Sequence, residues 1–117
     1  MPSNDKAVLV YSTFPALDLA ERVGAELVDA RLAACVNILP RMISIYRWQG
    51  VRHRDEEVVM LIKTRESLSS RVISAVREQH PYDNPALLVL PTAGGSGDFL
   101  SWILSETVGE IGARDTG

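Results

Sequence analysis

The longest β-type pattern in the chain sets the strongest constraint on its fold. Ala33 to Leu39 is apolar and β-like. Pro40 interrupts it, and Met42 to Trp48 resumes with Ile43 and Ile45 on one face and Met42, Ser44, Tyr46 and Trp48 on the other. Gln49-Gly50 marks a turn. After a polar stretch, Val51 to Asp55, a second long strand runs from Glu56 to Thr64. Two long strands joined through a short glycine-containing turn predict a hairpin. Pro40 removes a ladder donor, so it predicts an edge position or a bulge. One small domain cannot cover both faces of so long a hairpin, and part of it is expected to project and to need another surface.

The remaining segments place this hairpin in a fold. Ala7 to Phe14 is short, β-rich and apolar nearly throughout, as expected of a strand buried on both faces. From Ala16 the period changes: Ala16, Leu19, Ala20, Val23, Leu27 and Ala30 share a helical stripe that ends near Arg31. Ser67 to Gln79 returns to helical period, and Pro81 disfavours the α conformation at His80, which stops the helix. Ala86 to Leu90 is another apolar strand, launched by Asn84-Pro85. The Gly94–Asp98 loop offers an N-cap at Ser96 or Asp98 for a last helix from Phe99 to about Val108. The order βαββαβ plus a C-terminal helix predicts an α+β, ferredoxin-like fold: a four-stranded antiparallel sheet with helices on one face. Residues 1–117 are expected to form a single domain with an ordered core of about 7–109 and a frayed polar tail after Gly109. The strands carry too much apolar surface for the helix-free face to be wet, which predicts an oligomer.

Composition narrows the function classes. A formal net charge of -3 gives no electrostatic footprint for nucleic acid or anionic lipid. No apolar run approaches the roughly 20 residues needed to span a bilayer, and no signal peptide is visible at the start. The single cysteine, Cys35, permits neither an intramolecular disulfide nor a CxxC zinc framework. A cytoplasmic location follows as the expectation. Cys35, His53, His80, Met42 and Met60 are the soft or borderline metal-ligand candidates, and no two stand at ligand spacing. Cys35 reads as a buried structural thiol and His53 as a solvated residue at the hairpin tip. His80 has two open readings, a helix-terminal imidazole that satisfies the last carbonyls, or a ligand or binding-pocket donor beside Tyr82 and Asp83. No nucleophile and base can be paired, so an enzyme is not expected. Lys63 closes an apolar strand that Glu57 begins on the same face, roughly 20 Å away at strand rise. They cannot pair within one subunit, though either can meet a neighbour's group. Trp48 and Trp102 read as core or interface aromatics.

Five blocks, "RLAACVNILP" (Arg31 to Pro40), "SIYRWQG" (Ser44 to Gly50), "EVVMLIKT" (Glu57 to Thr64), "HPYDNPALLVLP" (His80 to Pro91) and "FLSWI" (Phe99 to Ile103), resemble the CutA family of divalent-cation tolerance proteins in order and spacing. The resemblance runs from about Val8 to Val108. It implies a ferredoxin-like subunit in a homotrimer, with the hairpin crossing subunit boundaries and Ile43, Ile45, Tyr46 and Trp102 at the trimer interface. It implies self-association as the main partnership and no metal requirement for folding. It also implies a non-enzymatic role in metal tolerance, with copper or another divalent cation held in an inter-subunit cleft. Lys63, Tyr82 and Asp83 would line that cleft, Trp48 and Glu57 would come from a neighbour's hairpin, and His80 would be the metal ligand. In the copper site proposed for some members, a cysteine and a histidine stand where this chain has Ser12 and Gln79, both poorer copper ligands. The architectural similarity of that family to the PII signalling proteins implies an alternative role, sensing a small effector.

Overall fold

A computed structural model describes residues 5–108, so the expected fraying after Gly109 lies outside the described residues. The elements are β1 (Ala7–Phe14), α1 (Leu17–Asp29), β2 (Cys35–Trp48), β3 (Val51–Arg65), a 3-10 turn (Glu66–Leu68), α2 (Ser69–Gln79), β4 (Leu87–Pro91) and α3 (Gly97–Glu106). They form the expected α+β arrangement, one antiparallel sheet of order β2-β3-β1-β4. No helix among the described residues is long and apolar enough to cross a membrane.

Alternation along the strands divides the sheet into two faces. Val10 and Phe14 of β1, and Met60 and Ile62 of β3, point to the helices and meet Val23 and Leu27 of α1 and Val72 and Val76 of α2. Sequence patterning does not explain Gly24, since glycine inside a helix costs about 1 kcal/mol relative to alanine. A Cβ there would stand 2.8 Å from a Val36 methyl and 3.4 Å from Met60 Cε, so the glycine allows α1 to lie close on the sheet. The opposite face carries Leu9, Tyr11, Leu61, Leu39 and, on the edge, Leu88 and Leu90. α3 covers only its end, where Ile103 and Leu100 pack with Ala7 and Ala34. Ser96 caps α3 by accepting a hydrogen bond from the Phe99 amide.

The hairpin departs from expectation in one respect. β3 begins at Val51, five residues before the expected Glu56, because Gln49 (φ 51°) and Gly50 (φ 82°) form a two-residue turn with both central residues left-handed. Such a turn pairs Trp48 with Val51 at once. His53 is therefore a paired strand residue opposite Tyr46, its ring 5.3 Å from the tyrosine's, and not a tip residue. Polarity does not exclude Val51–Asp55 from a strand, because a two-stranded ribbon leaves both faces open to water. β1 pairs with β3 only as far as Val58, so the hairpin beyond it projects and draws the molecule out to 52 × 29 × 24 Å.

Of the two expectations at Pro40 both hold: β2 is an edge strand, and a bulge lies between Leu39 and Met42, with Arg41 at φ 68°. Leu39 faces Val59 and Met42 faces Glu57, so β2 spends three steps where β3 spends two. Side-chain parity therefore reverses. Odd residues of β2 share the helix-free face before the bulge, and the even residues Met42, Ser44, Tyr46 and Trp48 share it afterwards.

Ser12 faces the helices. Its hydroxyl is fully buried and is the one buried side-chain polar atom among the described residues without a hydrogen-bond partner. An unpaired buried hydroxyl costs about 1–3 kcal/mol. Ser12→Ala should therefore raise stability in urea unfolding, by about 1 kcal/mol. A loss of that size would instead show that the hydroxyl has a partner.

Candidate functional site

The parity reversal at the bulge brings Tyr46 and Trp48 onto the same face as Glu57, where the projecting hairpin meets the connection between α2 and β4. A cavity of about 410 Å³ opens there, lined by Thr13, Tyr46, Trp48, Glu57, Tyr82, Asp83, Asn84 and Ala86. The Glu57 carboxylate is its organising group. One oxygen accepts from the Ser44 hydroxyl at 2.7 Å and the other from the Tyr82 hydroxyl at 2.9 Å. The Tyr46 hydroxyl donates to Asp55, its neighbour on the same face of the ribbon.

These contacts decide the protonation of both phenols. Burial and then the bond to Glu57 and its charge push the Tyr82 hydroxyl up to about 12. The bond to Asp55 raises that of Tyr46. In each case ionisation would set a phenolate against a carboxylate. Both hydroxyls stay neutral donors near pH 7.

His80 stands behind this wall. Its Nε2 lies 2.6 Å from the Thr13 carbonyl oxygen and its Nδ1 accepts the Tyr82 amide at 3.2 Å. A carbonyl requires the proton on Nε2, and an amide requires the lone pair on Nδ1, so these contacts define one neutral tautomer. The ring also stacks on Phe14 at 4.8 Å and packs tilted against Tyr82 at 4.8 Å. His80 is thus a latch that ties the end of α2 to β1 and holds Tyr82. Its ring bonds a strand carbonyl rather than the last helical ones and stands beside Tyr82, and with its lone pair on the Tyr82 amide, ligating a metal would require that bond to break. The other positions compared with a copper site offer no help. Ser12 is buried on the opposite face, and the Gln79 amide donates to Ala75 in its own helix at 3.3 Å. Among the described residues, no three His, Cys, Asp or Glu side chains converge as a metal-binding group.

Of the residues singled out in the sequence, Trp48, Tyr46, Glu57, Tyr82 and Asp83 gather at one cavity of one chain; Trp48 and Glu57 need no neighbour's hairpin to reach it. Lys63 does not join them. It pairs with Cys35 and Leu9 at the far end of β3, its Nζ 5.2 Å from the Phe99 ring centre. Cys35 is half-buried beside it rather than in the core. Ile43 and Ile45 lie on the other face of the hairpin, and Trp102 stacks on Phe99 in α3 at 5.5 Å. Sequence reasoning missed Thr13, Asn84 and Ala86 in the cavity wall, and Ser44 and Asp55 as partners of its polar groups. A bulge placed at Pro40 would have exposed the last two, because it puts Ser44, Asp55 and Glu57 on one face.

Residues 8–106 match the family described as CutA1 divalent ion tolerance protein. The divalent-cation tolerance protein CutA of Pectobacterium atrosepticum is 43% identical over 97 residues, covering 83% of this chain and 88% of the relative. The chloroplastic protein CutA of Arabidopsis thaliana is 38% identical over 101 residues, which span 86% of this chain but only 56% of that longer relative. The crystal structure of CutA1 from Oryza sativa superposes with a TM-score of 0.86 at 36% identity, covering 90% of this chain and 96% of the other.

Proposed function

The chain belongs to the CutA1 divalent ion tolerance family, and from that premise we propose that it acts as a non-enzymatic homotrimer in divalent-cation tolerance, with the cavity under the hairpin as a cation-binding cleft. The observation that carries the site is the cavity itself: Glu57 and Asp83 line it, Asp55 stands beside it, and none of the three has an ion-pair partner among the described residues. A cleft with that charge favours cations over anions. Copper or another divalent cation would be held weakly there, as an aquated ion against the carboxylates, because the Glu57 oxygens already accept two hydroxyls. The non-enzymatic reading is supported by the family description, which is that of a tolerance protein and names no reaction. The trimer reading is supported by apolar surface that one chain leaves open, including Ile45 at 66% and Leu88 at 57% exposure. A cytoplasmic location is our reading from the single cysteine, Cys35, which leaves no second thiol for an intramolecular disulfide.

Sedimentation of the purified chain should give the mass of three copies; a single-copy mass would remove the trimer. In cells lacking the protein, the unaltered chain should restore growth in excess copper or zinc, and the double variant Glu57→Gln, Asp83→Asn should not. Full restoration by that variant would place the function outside the cleft.

A further inference from the structure

We infer that the cleft under the hairpin takes a small organic ammonium ion, held on the faces of Tyr46, Trp48 and Tyr82 and neutralised by Glu57 and Asp83. The inference rests on the reading of this cleft as a cation site and names the class of cation. Three of its eight lining residues are aromatic and partly exposed, Trp48 at 53%, Tyr46 at 42% and Tyr82 at 38%, with His53 stacked on one side of Tyr46 and His80 packed against Tyr82. A hydrated metal ion gains little from such a wall. An alkylated or protonated amine gains both from the ring faces and from the carboxylates, because its charge is spread over a surface that loses water cheaply.

The hydrogen bonds sharpen this preference. Tyr82 and Tyr46 donate to Glu57 and Asp55, which leaves their rings electron-rich and turns their hydroxyl groups to the carboxylates. Glu57 spends a lone pair of each oxygen on Ser44 and Tyr82, so it keeps its charge while offering little directed ligation to a metal. Tyr82 is braced from behind by His80, and His80 by Phe14, so its ring is set before a ligand arrives. Of the basic residues of the hairpin, His53 shares the face of the cleft and stacks on Tyr46 at 5.3 Å, but it does not line the cavity. Arg47, Arg52 and Arg54 lie on the opposite face of the ribbon, and Arg47 donates to the Gly50 carbonyl at the turn.

Choline and its uncharged carbon isostere, in which carbon replaces the quaternary nitrogen, make the direct test on the full chain. Titrations are followed by calorimetry and by the indole N–H signals of Trp48 and Trp102, the two tryptophans of the chain. Choline at millimolar concentration should bind and shift the Trp48 signal, and Trp48→Leu and Glu57→Gln should each weaken it by roughly 3- to 30-fold. Folding of each variant is checked by circular dichroism, so that one variant suffices if the other fails to fold. Equal binding of the isostere would show a merely apolar slot and overturn the inference. Binding of copper or zinc at Glu57 without any response to choline would also overturn it, while leaving the cation cleft intact. No response to any probe, with the Trp48 indole shielded from solvent, would show a second copy of the chain covering the cleft and would overturn it too.

Discussion

Phe14→Ala should cost about 3–5 kcal/mol of stability, as deletion of a fully buried aromatic does. Phe14 is 0% exposed and is the largest fully buried side chain of the core. It closes β1, where it pairs with Val58, and its ring supports the imidazole of His80. Removing it opens a void that the surrounding strands cannot collapse to fill, because their register is pinned by the pairings on both sides of β1. The damage should also reach the cleft. Without its stacking partner, His80 loses one of the constraints that keep it on Thr13 and Tyr82. Urea unfolding at fixed protein concentration measures the first effect, and fixed concentration matters for any chain that assembles. The second should appear as loss of the raised Tyr82 ionisation in an ultraviolet titration. A cost below about 1 kcal/mol would mean that the site relaxes far more than the packing indicates.

Arg65→Ala should cost about 2–3 kcal/mol, since it breaks a part-buried ion pair and removes charged hydrogen bonds from two further acceptors. The guanidinium fork reaches three residues in two segments. Nε donates to the Thr107 hydroxyl at 2.9 Å, Nη1 to Asp5 at 3.2 Å, and Nη2 to the Leu104 carbonyl. It thereby ties the last turn of α3 and the N-terminal segment to the end of β3. Arg31 supports the same helix end by donating to the Ser105 and Glu106 carbonyls, which offsets its own left-handed backbone at φ 61°. Arg65→Lys should recover only part of the loss, because an ammonium cannot reproduce the fork.

The effect of Arg65→Ala should shrink in acid. Burial pushes the Asp5 carboxyl up, but its hydrogen bonds from Ser67 and Arg65 and the arginine charge outweigh burial, and the net shift is downward from 3.8. A depressed carboxylate contributes stability that is complete above its unfolded value and is lost as pH falls through its folded value. Unfolding free energies of the unaltered chain and Arg65→Ala should therefore differ most near neutrality and draw closer below the ordinary carboxylate range, the helix-end contacts keeping a residual difference. A difference that does not change with pH would assign the cost of the variant to the two helix-end contacts alone.

How much of this was legible in the sequence depends on the range of the interaction. The bounds of β1, the proline stop after Gln79, the Ser96 cap and the turn at Gln49-Gly50 all follow from residues within a few positions of each other. His80 shows the limit. Its neighbours announce a helix end, yet its partner is a carbonyl 67 residues away, which no local pattern encodes. Lys63 shows it too: alternation correctly puts it on the face of Glu57, but the distance along β3 separates it from the cleft.

The sequence by itself determined the order of elements, the long hairpin, an edge position or bulge at Pro40 and the family resemblance, because periodicity, punctuation and motif blocks are properties of the chain alone. Only the tertiary structure decided which side chains share a cavity. That choice turns on register. One extra residue in β2 reverses every side chain beyond it and carries Tyr46 and Trp48 to the face of Glu57, and the fold of the α2–β4 connection brings Tyr82 and Asp83 to meet them.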